Sequence, residues 1–275
     1  MEKVLFFAFT MFVLYGLETI IPLVKSQRNS KKRILSNTIM IALALLVYMT
    51  LSVGVTWLAL KVSENNVGIL NWLGFNNAWA VSIVGILVLD YCAAYLPHVL
   101  MHKIPFMWRF HAVHHSDKAI DITTALRQHP FESIWRVMFQ VIAVVVFGIP
   151  LYVLTLYLTL TALWAQIEHA NIKIPSWINR VQLLFVTPNM HKLHHSQWQK
   201  ETDTNYGNIF SIWDRVFHTY SERTNYDDIK YGLENFPKPD YSVKEMLVDI
   251  PANSVSQISQ QNVNQAFVEY EGDKL

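Results

Sequence analysis

One long uncharged stretch limits the folds that this chain can adopt. Residues 34–60 carry no charge and exceed the roughly 20 residues that a helix needs to cross a bilayer. Because backbone polar groups in lipid must be hydrogen-bonded within the protein, such a segment is helical. In the whole chain 52% of residues are apolar and 16% are charged, whereas soluble proteins average about 25% charged residues. The sequence therefore predicts an all-α integral membrane protein.

Three further apolar stretches extend this prediction to a bundle of about four membrane helices. Residues 4–24 contain only Glu18 as a charge, residues 78–97 contain only Asp90, and residues 137–167 contain none. The last stretch is too long for one span. Gly148-Ile149-Pro150 lies near its centre and predicts a helical hairpin, with short arms of about 12 and 17 residues. Residues 4–24 lack a basic leader and a cleavage site, so we expect a retained span rather than a signal peptide.

The charge of the first loop predicts the orientation of the bundle. Five of the nine residues between positions 25 and 33 are basic, and the positive-inside rule places such a loop in the cytoplasm. Successive crossings then bring His98 to the cytosolic side, and the hairpin keeps the later histidines there. We expect a histidine-rich helical cap on the cytosolic face of a bacterial inner membrane, with the endoplasmic reticulum as the second possibility.

Eight of the eleven histidines form three clusters, which are His98-x3-His102, His111-x2-His114-His115 and His191-x2-His194-His195. Residues three and four apart share one face of a helix, so each cluster is expected to direct its imidazoles at one point. Imidazole binds zinc, copper, iron and nickel, whereas calcium and magnesium prefer oxygen ligands. One zinc ion needs only about four ligands, so this number of histidines indicates a pair of metal ions. The residue types leave iron and zinc both open.

Composition excludes several other classes of function. Cys92 is the only cysteine, which excludes disulfides and cysteine-based zinc ribbons. The net charge of +1 gives no reason to expect binding to nucleic acid. A zinc-dependent membrane hydrolase would carry a glutamate inside a cluster, as in His-Glu-x-x-His. A metal transporter or other non-enzymatic metal-binding protein would carry histidines within its spans. These two alternatives stay open beside a redox enzyme. The chain has no segment that binds haem, an iron–sulfur cluster or a nucleotide, so a redox reaction at the metal pair would need an external electron donor.

The order of spans and clusters resembles the fatty acid hydroxylase and sterol desaturase superfamily over residues 78–222. The segments that extend the match are His111-Ala-Val-His-His-Ser, Thr124-Ala-Leu-Arg127, Asn205-Tyr-Gly207 and Trp213-Asp-Arg215. They look most like the alkylglycerol monooxygenase branch and its bacterial relatives. The resemblance implies an O2-dependent di-iron enzyme that hydroxylates, or less readily desaturates, a sterol, fatty acyl or ether lipid. Electrons would come from a separate reductase or a diffusible reductant, and the oligomeric state stays open.

The resemblance also divides the chain and assigns its site residues. Residues 1–77 would form N-terminal membrane helices, residues 78–222 the catalytic domain, and residues 223–275 a polar, peripheral tail. The eight clustered histidines would bind the two irons, for which zinc could substitute in purified protein. His169 would be a further ligand, and His129 would orient a ligand or support the structure.

Three other polar residues are candidates for contact with the ligands. Asp90 is the only charge in its span, and charges inside membrane helices usually mark functional sites. Asp203 and Asn205 follow the third cluster and could hydrogen-bond ligand imidazoles. The alternatives are that Asp90 anchors its helix and that Asp203 and Asn205 form an ordinary turn.

Overall fold

The computed structural model describes residues 2–24, 30–174, 176–223, 226 and 229–254. Within these ranges the regular structure is helical, together with three isolated β-bridges, which agrees with the predicted all-α class. Residues 25–29 of the basic loop lie outside the described residues. The same is true of residues 255–275, which form the last part of the predicted polar tail.

Eleven α-helices follow one another along the described chain: α1 (Glu2–Ile20), α2 (Lys31–Glu64), α3 (Ile69–Trp72), α4 (Ala78–Leu89), α5 (Leu96–Lys103), α6 (Pro105–His115), α7 (Pro130–Phe147), α8 (Leu151–His169), α9 (Pro188–His194), α10 (Gln199–Thr202) and α11 (Ile212–Val216). Two short 3₁₀ segments, Ile122–Thr124 and Ser176–Leu183, lie between them. A π-helical segment, Asp90–Tyr95, joins α4 to α5, and a second one covers Glu245–Asp249.

Four helical segments are long and apolar enough to cross a membrane, as predicted. They are Lys31–Trp72, Ala78–Lys103, Pro130–Phe147 and Leu151–His169. The chain is thus a multi-pass membrane protein. Helix α1 covers most of the predicted first span, and its residues Phe9–Ile20 form an apolar helix shorter than the other four.

The predicted hairpin is present, but its arms are longer than the sequence indicated. Gly148 ends α7 in the left-handed conformation, with φ of 74°, and α8 begins at Leu151. The two arms have 18 and 19 residues, because α7 begins at Pro130 and includes the charged residues Glu132 and Arg136. The expected short arms were therefore wrong: counting only uncharged residues removed the first two turns of α7.

One apolar cluster joins the four membrane helices. Ala59 of α2, Ala143 of α7 and Val153 of α8 are fully buried in this cluster with Leu89 of α4. Other apolar side chains such as Met49 point outwards and are exposed. This distribution suits a bundle in lipid, where the surrounding hydrocarbon gives helices no hydrophobic reason to associate and close packing does so instead.

Residues 229–254 are not a peripheral tail, contrary to our expectation. Phe236, Tyr241, Met246 and Ile250 are buried in one cluster against Trp108 of α6. The apolar residues that make this contact are separated by charged and polar ones. The composition of the segment therefore hid a core contact that only the three-dimensional arrangement reveals.

The hairpin turn gives a test of the packing. A Cβ on Gly148 would lie 2.4 Å from the carbonyl oxygen of Val67, and its φ of 74° is unfavourable for other residues. We expect Gly148→Ala to lower the free energy of unfolding by about 2 kcal/mol or more, measured by thermal unfolding in detergent. Gly54→Ala is the control, because no atom lies within 4 Å of a Cβ there. Equal stability of the two variants would contradict this turn geometry.

Candidate metal centre

Three short helices and the end of α8 bring the predicted ligands together. A break at Ile104 and Pro105 separates α5 from α6, so that the first two clusters pack side by side. Helix α9 starts at Pro188 behind Thr187, whose side chain accepts a hydrogen bond from the amide of Met190. His169 is the last residue of α8. All nine predicted histidines are buried in one region of the molecule.

The nine histidines form two groups whose possible ligand atoms lie within 4.8 Å of one another. Group A consists of His98, His102, His111, His115 and His194, and group B consists of His114, His169, His191 and His195. The second and third clusters each contribute to both groups. The expectation that each cluster directs all its imidazoles at one point was therefore wrong for the second and third clusters. One imidazole of each of these clusters turns toward a different group from its two neighbours.

The imidazoles of each group meet through their Nε2 atoms. In group A the Nε2 of His111 lies 3.1 Å from that of His98 and 3.2 Å from that of His115. In group B the Nε2 of His169 lies 3.1 Å from that of His114 and 2.9 Å from that of His191. Two nitrogens at right angles, each about 2.1 Å from one metal ion, stand roughly 3 Å apart. The spacing therefore fits two metal positions.

The Nδ1 atoms of six of these rings lie against oxygen atoms, which fixes their tautomer. The acceptors are the carbonyl oxygens of Tyr206 for His98, Arg127 for His114, Ala165 for His169 and Thr204 for His194, and the carboxylates of Asp203 for His102 and Glu132 for His111. A carbonyl oxygen only accepts, so each of these Nδ1 atoms donates a hydrogen. Each Nε2 then presents a lone pair to the centre, as a metal ligand requires.

Two lone pairs facing each other at 3.1 Å repel unless a cation or a proton lies between them. His114 and His169 of group B are in this situation, since both donate from Nδ1 to a carbonyl. Burial, together with Arg136 and Arg127, lowers the pKa of His114 to about 3, so a proton is not available at neutral pH. A metal ion is the partner that this donor set fits.

Five more imidazoles of groups A and B lie outside the membrane helices and are held neutral for the same reason. Burial is the largest cause of the low pKa of His111, His115, His191, His194 and His195, and neighbouring imidazoles lower each pKa further. Neutral imidazole is the form that ligates metals. The centre therefore has the charge state of a ligand set rather than that of a proton store.

Three carboxylates lie behind the ligands, and sequence reasoning missed the role of two of them. Glu132 accepts from the Nδ1 of His111 at 3.0 Å, and its other oxygen accepts from Arg136 at 3.0 Å. Glu168 is buried next to His169 and His191, at 3.7 and 3.9 Å from their Nδ1 atoms. The available signal was their position, in the His129-Pro-Phe-Glu132 segment and directly before His169.

The third carboxylate, Asp203, accepts hydrogen bonds from buried His102 and from the exposed Lys103. It accepts from the Nδ1 of His102 at 3.3 Å and from Lys103 at 3.0 Å. Burial raises the pKa of Asp203, but His102 and Lys103 outweigh that effect and hold it well below its usual range. The phenol of Tyr206 donates to the same Asp203 oxygen, and its fully buried ring lies 5.0 Å from that of His102.

Asp90 anchors its helix, and none of its hydrogen bonds described here reaches an imidazole. Its carboxylate accepts from the amides of Ile209 and Phe210 and from the indole of Trp213. Asn205 likewise bonds the carbonyls of Met190 and Ser221. Both residues therefore act on the loop that carries the Thr204 and Tyr206 carbonyls. For each of them the structure favours the alternative of a structural anchor.

His129 directly precedes α7 and lies outside both groups. Its Nδ1 accepts from the amide of Phe131, and its Nε2 lies 3.3 Å from the carbonyl of Leu247. It is the N-cap of the helix that carries Glu132. His129 thus supports the start of α7.

Polar contacts from the N-terminal region complete the surroundings of the site. Arg33 of α2 binds Asp117 and Asp121 at 2.8 and 2.9 Å, just after the second cluster. Glu18 of α1 is fully buried and accepts from the amides of Ile122 and Asn171. The segments that follow His115 and His169 are held in this way from outside the predicted catalytic domain.

The different positions of His129 and His169 give a second test. We expect His129→Ala to lower the free energy of unfolding by about 1 kcal/mol, because the N-cap is lost, and to leave the metal content unchanged. His169→Ala should lower the number of metal ions per chain, measured by elemental analysis of the purified protein. Loss of metal in the His129 variant, with the His169 variant unaffected, would reverse these two roles.

Comparison with known proteins places this arrangement in a family. Residues 82–219, half of the chain, match the family model described as fatty acid hydroxylase. The chain is 30% identical to ornithine lipid hydroxylase OlsE of Rhizobium tropici over 138 residues, 50% of this chain and 41% of that protein. It is 30% identical to alkylglycerol monooxygenase of Caenorhabditis elegans and 28% identical to the human protein, over 50% of this chain in both cases.

These matches cover 27% of the nematode protein and 29% of the human one, so the chain spans less than half the length of these relatives. No solved structure matches this chain. The matched region contains all nine histidines of groups A and B, and the predicted resemblance is confirmed. The chain belongs to the fatty acid hydroxylase family.

Proposed function

We propose that this protein is a membrane-bound di-iron oxygenase that uses O2 to hydroxylate a C–H bond of a lipid. The observation that carries the proposal is the pair of imidazole groups whose Nε2 atoms face one another at 2.9–3.2 Å. Metal ions bound there would supply the redox chemistry that activates dioxygen. The names of the relatives support a lipid substrate with a polar head, since one acts on ornithine lipid and the others on alkylglycerols.

The residues of this chain keep the centre dry and orient its ligands. Trp108 and Tyr206 are buried and contact group A imidazoles, with ring centroids 4.9 and 5.0 Å from that of His102. Such neighbours exclude water and keep the imidazoles neutral. We infer that the lipid chain reaches the centre from the bilayer and that its polar head stays at the interface. Desaturation of the same C–H position is the alternative outcome, and hydroxylation is preferred.

Electrons come from outside the chain in this proposal, through a separate reductase or a diffusible reductant. We further infer that the histidine centre faces the cytosol, where such donors occur. Three basic residues at the start of α2, Lys31, Lys32 and Arg33, favour that side for this end of the helix. A bacterial inner membrane is the preferred location, with the endoplasmic reticulum second.

Metal content and O2 uptake test the function directly. We expect about two irons per chain in detergent-purified protein produced with ample iron, together with O2 uptake when a reductant and lipid are present. His194→Ala removes a ligand from group A, and His114→Ala removes one from group B. Each should lower the iron content and abolish O2 uptake. Oxidised lipids are then identified by mass spectrometry.

The contrary results point to the alternatives. Zinc in place of iron, with ester or amide hydrolysis and no O2 uptake, would favour a zinc-dependent hydrolase. Metal that crosses the membrane without oxidation of lipid would favour a transporter. Metal that survives both substitutions would contradict the ligand set.

Orientation is tested by chemical labelling of introduced cysteines. Helix α2 is about 50 Å long, so Asn65 after its last residue lies on the opposite side of the membrane from the histidine centre. In a Cys92→Ser background, a membrane-impermeant thiol reagent should label Asn65→Cys in intact bacteria and should label Lys200→Cys only after lysis. The reverse pattern would place the centre outside the cytosol.

A further inference from the structure

The two groups differ in how firmly their imidazoles are held. In group A, four of the five rings bond an oxygen through Nδ1: His98, His102, His111 and His194. In group B, His114 and His169 do so, whereas the buried Nδ1 atoms of His191 and His195 have no hydrogen-bond partner among the described residues. A ring fixed by such a bond loses less freedom when it binds a metal.

The charges behind the two groups differ as well. Two carboxylates bond directly to group A imidazoles, Glu132 to His111 and Asp203 to His102. Glu168 is the carboxyl group next to group B, but its oxygens stand 3.7 and 3.9 Å from the nearest Nδ1 atoms. A carboxylate that accepts the Nδ1 hydrogen makes the imidazole more basic and so a stronger ligand. Group A has this support at two positions.

The number of ligands adds a third difference. Group A offers five imidazoles and group B offers four. Each additional bond must break before an ion leaves, so the ion in group A has more bonds to lose. The differences in ligand number, in fixed rings and in carboxylate support all act in the same direction.

We propose that the two metal positions are unequal: group A holds its ion more tightly, through Glu132 and Asp203, and group B is the position that exchanges first. This inference rests on the proposed function, since it assumes that both groups bind metal. It adds which of the two ions is resident and which is replaceable. It also makes Glu132 and Asp203 positioning residues, which act through the imidazoles that they bond.

The test is the stepwise removal of zinc from the full-length protein in detergent. Protein saturated with zinc is dialysed against rising concentrations of a chelator, and the zinc left per chain is counted by elemental analysis. We expect two steps with a plateau at one ion per chain, separated by about tenfold or more in chelator concentration. His191→Ala should lack the easily removed ion, and His102→Ala should lose the tightly held one.

Substitutions of the carboxylates separate positioning from folding. Glu132→Gln should lower the chelator concentration of the tight step by roughly 10–100-fold, which shortens or removes the plateau in this variant, while the weak step stays in place. Glu168→Gln should change the tight step by less than about twofold. Glu64→Gln, at the exposed end of α2, is the control and should change neither step. If the Glu132 variant does not fold, Asp203→Asn tests the same group, because Asp203 is partly exposed and lies on a different segment.

The outcomes that overturn this inference differ from those that overturn the function. Simultaneous loss of both zinc ions, or loss of the tight ion in His191→Ala, would contradict the unequal positions. An unchanged tight step in both Glu132→Gln and Asp203→Asn would contradict the role of the carboxylates. In these cases O2 uptake by the iron-loaded wild type would still support the oxygenase. If the wild-type protein binds no metal at all, that result would instead contradict the proposed function.

Discussion

The arrangement of this protein depends on hydrogen bonds that hold the outer nitrogen of an imidazole and leave the inner one free. A carbonyl that accepts from Nδ1 must itself be held in position. The carbonyl for His169 comes from Ala165, one turn earlier in the same helix, and needs no further support. The carbonyls for His98 and His194 come from the loop around Tyr206, which Asp90 and Asp214 hold through backbone amides. The centre is thus only as rigid as that loop.

The site also depends on parts of the chain beyond the family match at residues 82–219. Glu18 and Arg33 precede that range and hold the segments that follow His169 and His115. Met246 follows it and is buried in the cluster that covers Trp108, the tryptophan next to His102. A protein cut to the matched range would keep every histidine and would lose the contacts that bring these segments together.

Local features of the sequence were sufficient to predict the apolar helices and the eight clustered histidines that meet in the structure. Uncharged runs reveal membrane helices because lipid excludes charge, and the spacing of three and four residues reveals clustered histidines. The division into groups A and B was not predictable, since it depends on how α5, α6 and α9 meet in space. The role of Glu132 was not predictable for the same reason, because Glu132 contacts His111 only where the start of α7 packs beside α6. Asp90 is ambiguous in the sequence, because a lone membrane charge serves equally well as an anchor or as a functional group.

The π-helical segment Asp90–Tyr95 connects two requirements of one membrane helix. Before it, Leu89 belongs to the apolar core; after it, His98 and His102 belong to group A. Asp90 itself accepts hydrogen bonds from the loop before α11. Each residue turns an α-helix by 100°, so removing one residue here would rotate both histidines by that angle relative to the core. The number of residues between Leu89 and the two histidines is therefore fixed, because a change of even one residue would turn both imidazoles to another side of the helix.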